Sequence, residues 1–126
     1  MKKASAVLVM GSNFGEREAI LQSSLSRMAD FCSVVRRSEI YESNDCLGKG
    51  RKYLNIVLQI ATLSDEPEII RRLKLLECEF GRTLESRERG EVPLDIDIVI
   101  WNGEIRRPVD FKSAYFICGY KKMNAD

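Results

Sequence analysis

The chain has no histidine among its 126 residues. Ser-His and Cys-His catalysis and imidazole metal ligation are therefore excluded. Chemistry must run on carboxylates, guanidinium and ammonium groups, hydroxyls or a bound metal. Long apolar runs are also absent, and none approaches the ~20 residues needed to span a bilayer. The N-terminal apolar run covers only residues 4–10 and stops at Gly11-Ser12-Asn13. A first strand and turn fit this better than a signal peptide. Cys32, Cys46, Cys78 and Cys118 form no CxxC pair. A zinc knuckle or thioredoxin-like site is thereby excluded, and reduced thiols in a cytoplasmic protein are expected. Neither sign of charge dominates: 20 Lys and Arg against 19 Asp and Glu leave a net +1, which gives no reason to expect a nucleic-acid or membrane partner.

What is present describes one compact domain over residues 1–126, since 44% of the side chains are hydrophobic and 31% charged. After the first strand, Ile20, Leu21, Leu25 and Met28 recur at helical spacing and predict an amphipathic helix over residues 15–29. Residues 32–43 are rich in β-branched and aromatic side chains interrupted by Arg36 and Arg37, which predicts a strand with one wet face. Residues 44–52 read as a polar, basic loop, and residues 53–62 as a second strong strand. Asp65, Glu66, Pro67 and Glu68 supply a cap, acidic groups and a first-turn proline for a second helix carrying Ile69, Leu73, Leu76 and Phe80 and ending at Gly81. The highly charged residues 82–92 read as a mobile loop, and residues 94–101 as the next strand. Asn102-Gly103 predicts a hairpin, residues 113–120 one more short element, and residues 121–126 a fraying tail. The order β-α-β-β-α-β is that of the ferredoxin-like α+β fold, an antiparallel sheet with both helices on one face.

The stretch PLDIDIVIW, residues 93–101, sets two carboxylates inside a strand that otherwise looks buried. Strand alternation puts Leu94, Ile96, Ile98 and Ile100 on one face and Asp95, Asp97, Val99 and Trp101 on the other. The aspartate Cβ atoms then lie roughly 6.5–7 Å apart, close enough to share one cation or flank two. Without a cation, like charges on a partly covered face repel and one pKa rises. The alternative is an ordinary wet face, its aspartates paired with Arg82 or Arg89. Upstream, Arg82, Arg87 and Arg89 alternate with Glu85, Glu88 and Glu91, either as a solvated loop or as guanidinium groups able to close over phosphate. Gly11 to Gly15 joins a strand to a helix, a position where backbone N–H groups can face an anion, although no GxxxxGK[ST] pattern occurs.

Read in order, VLVMGSNFGEREAILQSSL, SEIYES, KYLNIVLQIAT, DEPEIIRRLKLLECEFGR and PLDIDIVIW resemble the successive blocks of the 6-hydroxymethyl-7,8-dihydropterin pyrophosphokinases, from Ala6 to Trp101. The resemblance implies transfer of pyrophosphate from ATP to the hydroxymethyl group of a reduced pterin in folate biosynthesis. It also implies that Asp95 and Asp97 hold two magnesium ions. By the same resemblance Ser43, Tyr53, Asn55 and Phe116 correspond to pterin-pocket positions, and Glu77 and Arg82 to the nucleotide side, with Arg82 as a catalytic cation; from the charged segment, Arg87 is a further nucleotide-binding candidate and Arg89 a further catalytic one.

The chain departs from that pattern at the end of the charged loop, where Arg89 stands in place of a tryptophan and Val92 in place of an arginine. Past the hairpin, where the family continues further, Ala114 stands at an arginine position, and the reading is of a C-terminally shortened member. A catalytically impaired paralogue that still binds nucleotide or pterin, and a ferredoxin-like interaction module, are the alternatives. The sequence leaves the oligomeric state open.

Overall fold

A computed structural model describes residues 3–44 and 50–125; Cys46 and most of the basic segment predicted as a loop lie outside the described residues. Among the described residues a six-stranded antiparallel sheet runs β2-β4-β1-β5-β6, with β3 also pairing with β4. The strands are β1 (Ala4–Ser12), β2 (Ser33–Arg37), β3 (Tyr41–Ser43), β4 (Tyr53–Thr62), β5 (Asp95–Trp101) and β6 (Glu104–Ile105). The helices are α1 (Arg17–Met28), α2 (Glu66–Glu79), α3 (Leu84–Glu88), α4 (Pro108–Phe111) and α5 (Ala114–Met123). The ferredoxin-like α+β order predicted from the periodicities is present. Among the described residues no helix is long and apolar enough to cross a membrane.

Strand alternation on β1 and β4 generates two cores. Leu8, Met10, Ile56, Leu58 and Ile60 meet Leu21 and Met28 of α1 and Ile69, Leu73 and Leu76 of α2. The intervening Val7, Val9 and Val57 point the other way and are covered by Phe116 and Met123 of α5. The central strand is therefore buried on both faces. Asp65 caps α2 by accepting the Glu68 N–H at 3.0 Å, with Pro67 in the first turn.

Four expectations are corrected. The segment read as one strand over residues 32–43 is divided at Ser38, whose hydroxyl accepts the Val57 N–H at 3.0 Å while its own N–H donates to the Val57 carbonyl at 2.8 Å. Residues 82–92 are not a structureless loop. They contain α3, nucleated by a capping box in which Thr83 Oγ1 accepts from Ser86 N–H and Ser86 Oγ from Thr83 N–H.

The alternation of β5 also breaks. Val7 opposes Ile100 while Leu8 opposes Ile98, so Val99 is the extra residue of a bulge. Ile100 consequently joins the α5-facing core and Trp101 the α1/α2-facing core, the reverse of strict alternation. Asn102 and Gly103 both take positive φ, 49° and 81°, as a tight hairpin turn requires. Finally, the segment predicted to fray begins inside α5, whose last residue, Met123, is buried.

Helix α5 approaches the sheet through Gly119. A Cβ there would lie 2.3 Å from the Tyr41 hydroxyl and 2.5 Å from a Val57 methyl. Tyr41 is fixed in turn by donating its hydroxyl to the Tyr115 carbonyl at 2.5 Å. Alanine is ordinarily better than glycine in a helix interior by roughly 1 kcal/mol. Here overpacking should win: Gly119→Ala is expected to lower unfolding stability by about 1–3 kcal/mol in denaturant titrations, and a stabilised variant would contradict the tight docking of α5.

Candidate functional site

The register across β4, β1 and β5 sets out a row of side chains on the α5 face. Gly11 pairs with Asn55 on one side and Asp95 on the other, and in the next row Val9 pairs with Val57 and Asp97. β3 extends the rows, with Tyr41 opposite Asn55 and Ser43 opposite Tyr53. Gly11 forms the floor between the amide and the carboxylate, since a Cβ there would come within 3.1 Å of Asn55 Oδ1 and 3.2 Å of the Tyr53 ring. Asn55 is buried, and its Nδ2 donates to Ser43 Oγ at 2.7 Å.

Ser43, Tyr53, Asn55, Gly11 and Asp95 line a cavity of about 630 Å³, closed on its far side by Val109, Asp110, Ser113, Ala114 and Tyr115. That volume lies in the range of roughly 300–1,000 Å³ usual for small-molecule sites. A second, smaller cavity of about 190 Å³ is lined by Asp97 together with Ile70, Lys74, Ile98, Arg106 and Arg107. The two aspartates, adjacent on one strand face, thus line one cavity each.

Each aspartate is bracketed by an arginine that is itself anchored. Arg82 Nη1 lies 2.7 Å from Asp95 Oδ1 and 3.1 Å from Glu77 Oε1. Glu77 is buried at the end of α2 and accepts the Ile96 N–H at 2.8 Å, which ties the helix to the strand carrying the aspartates. Burial raises the Glu77 pKa, against the pull of that N–H, Lys74 and Arg82. On the other side, Arg107 Nη1 approaches Asp97 Oδ1 to 3.8 Å. Arg107 Nε donates to Asp110 Oδ2, and the Tyr115 hydroxyl donates to Asp110 Oδ1.

Burial, and then the adjacent Asp95 carboxylate, push the Asp97 pKa up to about 7, with Arg107 and Lys74 opposing. The two brackets thus leave the pair short of positive charge. Two hard oxygen donors under mutual repulsion suit a divalent cation such as magnesium, which binds through one or two carboxylates and keeps water or phosphate oxygens in its remaining positions. Among the described residues no group of three or more acidic or thiol side chains is arranged around a metal position, so the protein would supply only part of the coordination shell.

The other residues singled out from sequence lie farther out. Arg87 is exposed on α3, and Arg89, just beyond it, is engaged by Glu91 at 2.9 Å. Glu91 also meets Arg51 at 3.4 Å. Glu77 and Arg82 line neither cavity. Phe116 is fully buried against the valines of the sheet and stacks with Tyr120 at 5.2 Å; the α5 aromatic that lines the larger cavity, with Tyr53 of β4, is its neighbour Tyr115. The glycine turn does not present the Asn13 amide to an anion. Asn13 N–H donates to the Val92 carbonyl at 2.8 Å, its side-chain oxygen accepts from Val92 N–H at 2.6 Å, and its Nδ2 donates to the Gly90 carbonyl at 3.1 Å. It clamps the end of the α3 segment beside the site. Sequence reasoning missed Arg107, Asp110 and Lys74. Arg107 and Asp110 are separated by three positions around a helix-starting proline, a spacing that was available as a signal.

An antiparallel α+β sheet of this strand order, with a carboxylate pair whose members line separate cavities, defines a ferredoxin-like protein with a candidate cation site. The chain belongs to the 7,8-dihydro-6-hydroxymethylpterin-pyrophosphokinase family, whose sequence model matches residues 7–123. It is 30% identical over 105 residues to the 2-amino-4-hydroxy-6-hydroxymethyldihydropteridine pyrophosphokinase of Aquifex aeolicus (strain VF5), covering 82% of this chain and 65% of that one. The enzyme of that name from Bacillus subtilis (strain 168) is 30% identical over 102 residues, with coverage of 79% and 60%. The folate synthesis bifunctional protein of Arabidopsis thaliana is 32% identical over 97 residues, 75% of this chain and 20% of that protein. The chain thus spans just under two thirds of the bacterial relatives' length.

The Asp97 environment has a pH signature. Its folded pKa of about 7 stands above the ordinary 3.8, so between these values the native state binds more protons than the unfolded one, and stability falls as pH rises. Thermal unfolding without divalent cations should show Tm declining from about pH 4 to about pH 7, and Asp97→Asn should flatten that decline. An identical slope in the variant would mean that Asp97 is not the strained group.

Proposed function

We propose that the chain transfers pyrophosphate from ATP to 6-hydroxymethyl-7,8-dihydropterin, a step of folate synthesis. Family membership sets the class of reaction. The observation that carries the reading is the adjacent carboxylate pair with one member lining each of two cavities, because a transfer between two substrates needs the reacting oxygen and phosphorus to meet at one charged point.

On this reading the larger cavity takes the pterin. Asn55 offers its Oδ1 to the heterocycle, Ser43 keeps the amide oriented by accepting from Nδ2, and Tyr53 and Tyr115 flank the ring. Phe116 contributes from behind, by fixing α5 against the sheet. The smaller cavity, with Lys74, Arg106 and Arg107, takes part of the nucleotide. The pterin hydroxyl oxygen attacks the β-phosphorus of ATP and forms a new O–P bond. The bond from that phosphorus to the oxygen bridging the α-phosphate breaks, AMP leaves with the electron pair, and the hydroxyl proton passes to water.

Asp95 and Asp97 would hold two magnesium ions, which when bound neutralise the phosphate oxygens and polarise the transferring group. Arg82, itself paired with Glu77, keeps Asp95 in place by ion pairing, and in the family's pattern Arg82 also meets phosphate. Arg87 and Arg89 are the mobile cations of this reading, Arg89 being released from Glu91 when a triphosphate offers a stronger partner.

Calorimetry with magnesium, a non-hydrolysable ATP analogue and hydroxymethylpterin, followed by an AMP-formation assay with ATP, tests this directly. Wild type should form a ternary complex and release AMP. Asp95→Asn combined with Asp97→Asn should abolish metal-dependent nucleotide binding and lower turnover by about 10²–10³-fold or more. Ternary binding without AMP formation would sink the enzymatic reading, and unchanged nucleotide affinity in the double variant would sink the metal site.

A further inference from the structure

We infer that Arg107 is the arginine that contacts the transferring phosphate in this chain, and that Asp110 and Tyr115 are the positioning residues that hold it there. The inference rests on the pyrophosphokinase reading and deepens it by naming a source for the positive charge that Val92, at the end of the α3 segment, does not provide. The Val92 backbone is clamped by Asn13, and its side chain carries no charge.

The nearby arginines differ in how they are engaged. Arg82 is held between two carboxylates, at 2.7 Å and 3.1 Å, and lines neither cavity. Arg89 is paired with Glu91. Arg106 is spread between Glu66 at 3.1 Å and Glu104 at 3.4 Å. Arg107 lines the smaller cavity and reaches Asp97 only at 3.8 Å, beyond hydrogen-bond length, so its Nη end is held weakly.

What fixes Arg107 is its other end. It is the N-cap of α4, followed by Pro108, which sets the first helical turn. Its Nε donates to Asp110, whose second oxygen is occupied by the Tyr115 hydroxyl from the first turn of α5. Asp110 and Tyr115 line the larger cavity while Arg107 lines the smaller one. The chain Arg107–Asp110–Tyr115 therefore links the linings of the two cavities, with its Arg107 end beside Asp97. A guanidinium aimed over a phosphate from a rigid anchor is geometrically suited to charge that builds up on the transferring group. The carboxylate of Asp110 compensates the guanidinium at Nε, and a polyphosphate, with more charge and more acceptor oxygens, takes over the Nη end.

The test compares wild type with Arg107→Ala, Arg107→Lys and Asp110→Asn, using calorimetry with magnesium plus a non-hydrolysable ATP analogue, calorimetry with hydroxymethylpterin, and AMP formation. Arg107→Ala should weaken the nucleotide analogue about 10–100-fold, the loss of hydrogen bonds to a charged group. It should lower kcat by about 10²–10³-fold, and leave pterin affinity within about threefold. Arg107→Lys should recover nucleotide affinity better than kcat, because a point charge replaces the planar fork only in part. Asp110→Asn should lower kcat with little change in nucleotide affinity, the split expected of a positioning residue. Arg107→Ala with nucleotide affinity and kcat equal to wild type would overturn the inference and leave the pyrophosphokinase reading standing. A wild type that binds neither the nucleotide analogue nor the pterin would overturn both.

Discussion

The organisation of this protein turns on the repulsion between two carboxylates on one strand face. Asp95 and Asp97 are neighbours on the side of β5 that α5 partly covers, and burial together with the Asp95 carboxylate raises the energy of the charged form of Asp97. The surroundings answer that repulsion from both flanks without abolishing it. Glu77 and Arg82 steady Asp95 from the end of α2, and Arg107 with Asp110 faces Asp97 from the start of α4. On the proposed reading, a pair left partly uncompensated in this way binds a divalent cation. A fully salt-bridged pair would not, and a pair with no arginines would destabilise the sheet edge.

The sheet makes the arrangement possible because its rows are in register. Asn55, Gly11 and Asp95 lie side by side across three strands, so a hydrogen-bonding amide and a charged group face one cavity over a floor with no side chain. The bulge at Val99 serves the same end. It turns the last part of β5 so that Val99 accepts the N–H of Arg106 at 2.8 Å, bringing the chain back toward the aspartates just where α4 begins. Helix α5 then closes the face, anchored by the tight passage of Gly119 over Tyr41 and Val57.

Much of this was legible in the sequence for a physical reason: alternation on β1 and β4 and the 3–4 spacing on α2 are strong periodic signals, because those elements bury large continuous faces. The carboxylate pair was legible because charge interrupts an apolar strand. What escaped depends on contacts distant in sequence or on weak local codes. Helix α3 is five residues long and capped through Ser86 rather than a glutamate, so its charge pattern concealed it. The exchange of faces between Ile100 and Trp101 left no trace, both being apolar and the bulge being set by pairing with Val7. Phe116, Gly119, Tyr120 and Met123 do carry helical spacing, a signal in α5 that a reading focused on strands passes over. Arg107 escaped because its partner Asp97 lies across the hairpin, although its anchor, Asp110, is only three residues away.

The central claim is that the Asp95 and Asp97 pair is a cation site whose shell is completed by phosphate. Paramagnetic broadening by Mn²⁺, added with a non-hydrolysable ATP analogue and read residue by residue in the amide NMR spectrum, tests it most directly. The account predicts loss of signal centred on Asp95, Ile96 and Asp97, extending to Asp110 and Tyr115 on one side and Lys74 on the other. Broadening spread over exposed acidic groups such as Glu104, with the β5 signals intact, would contradict it.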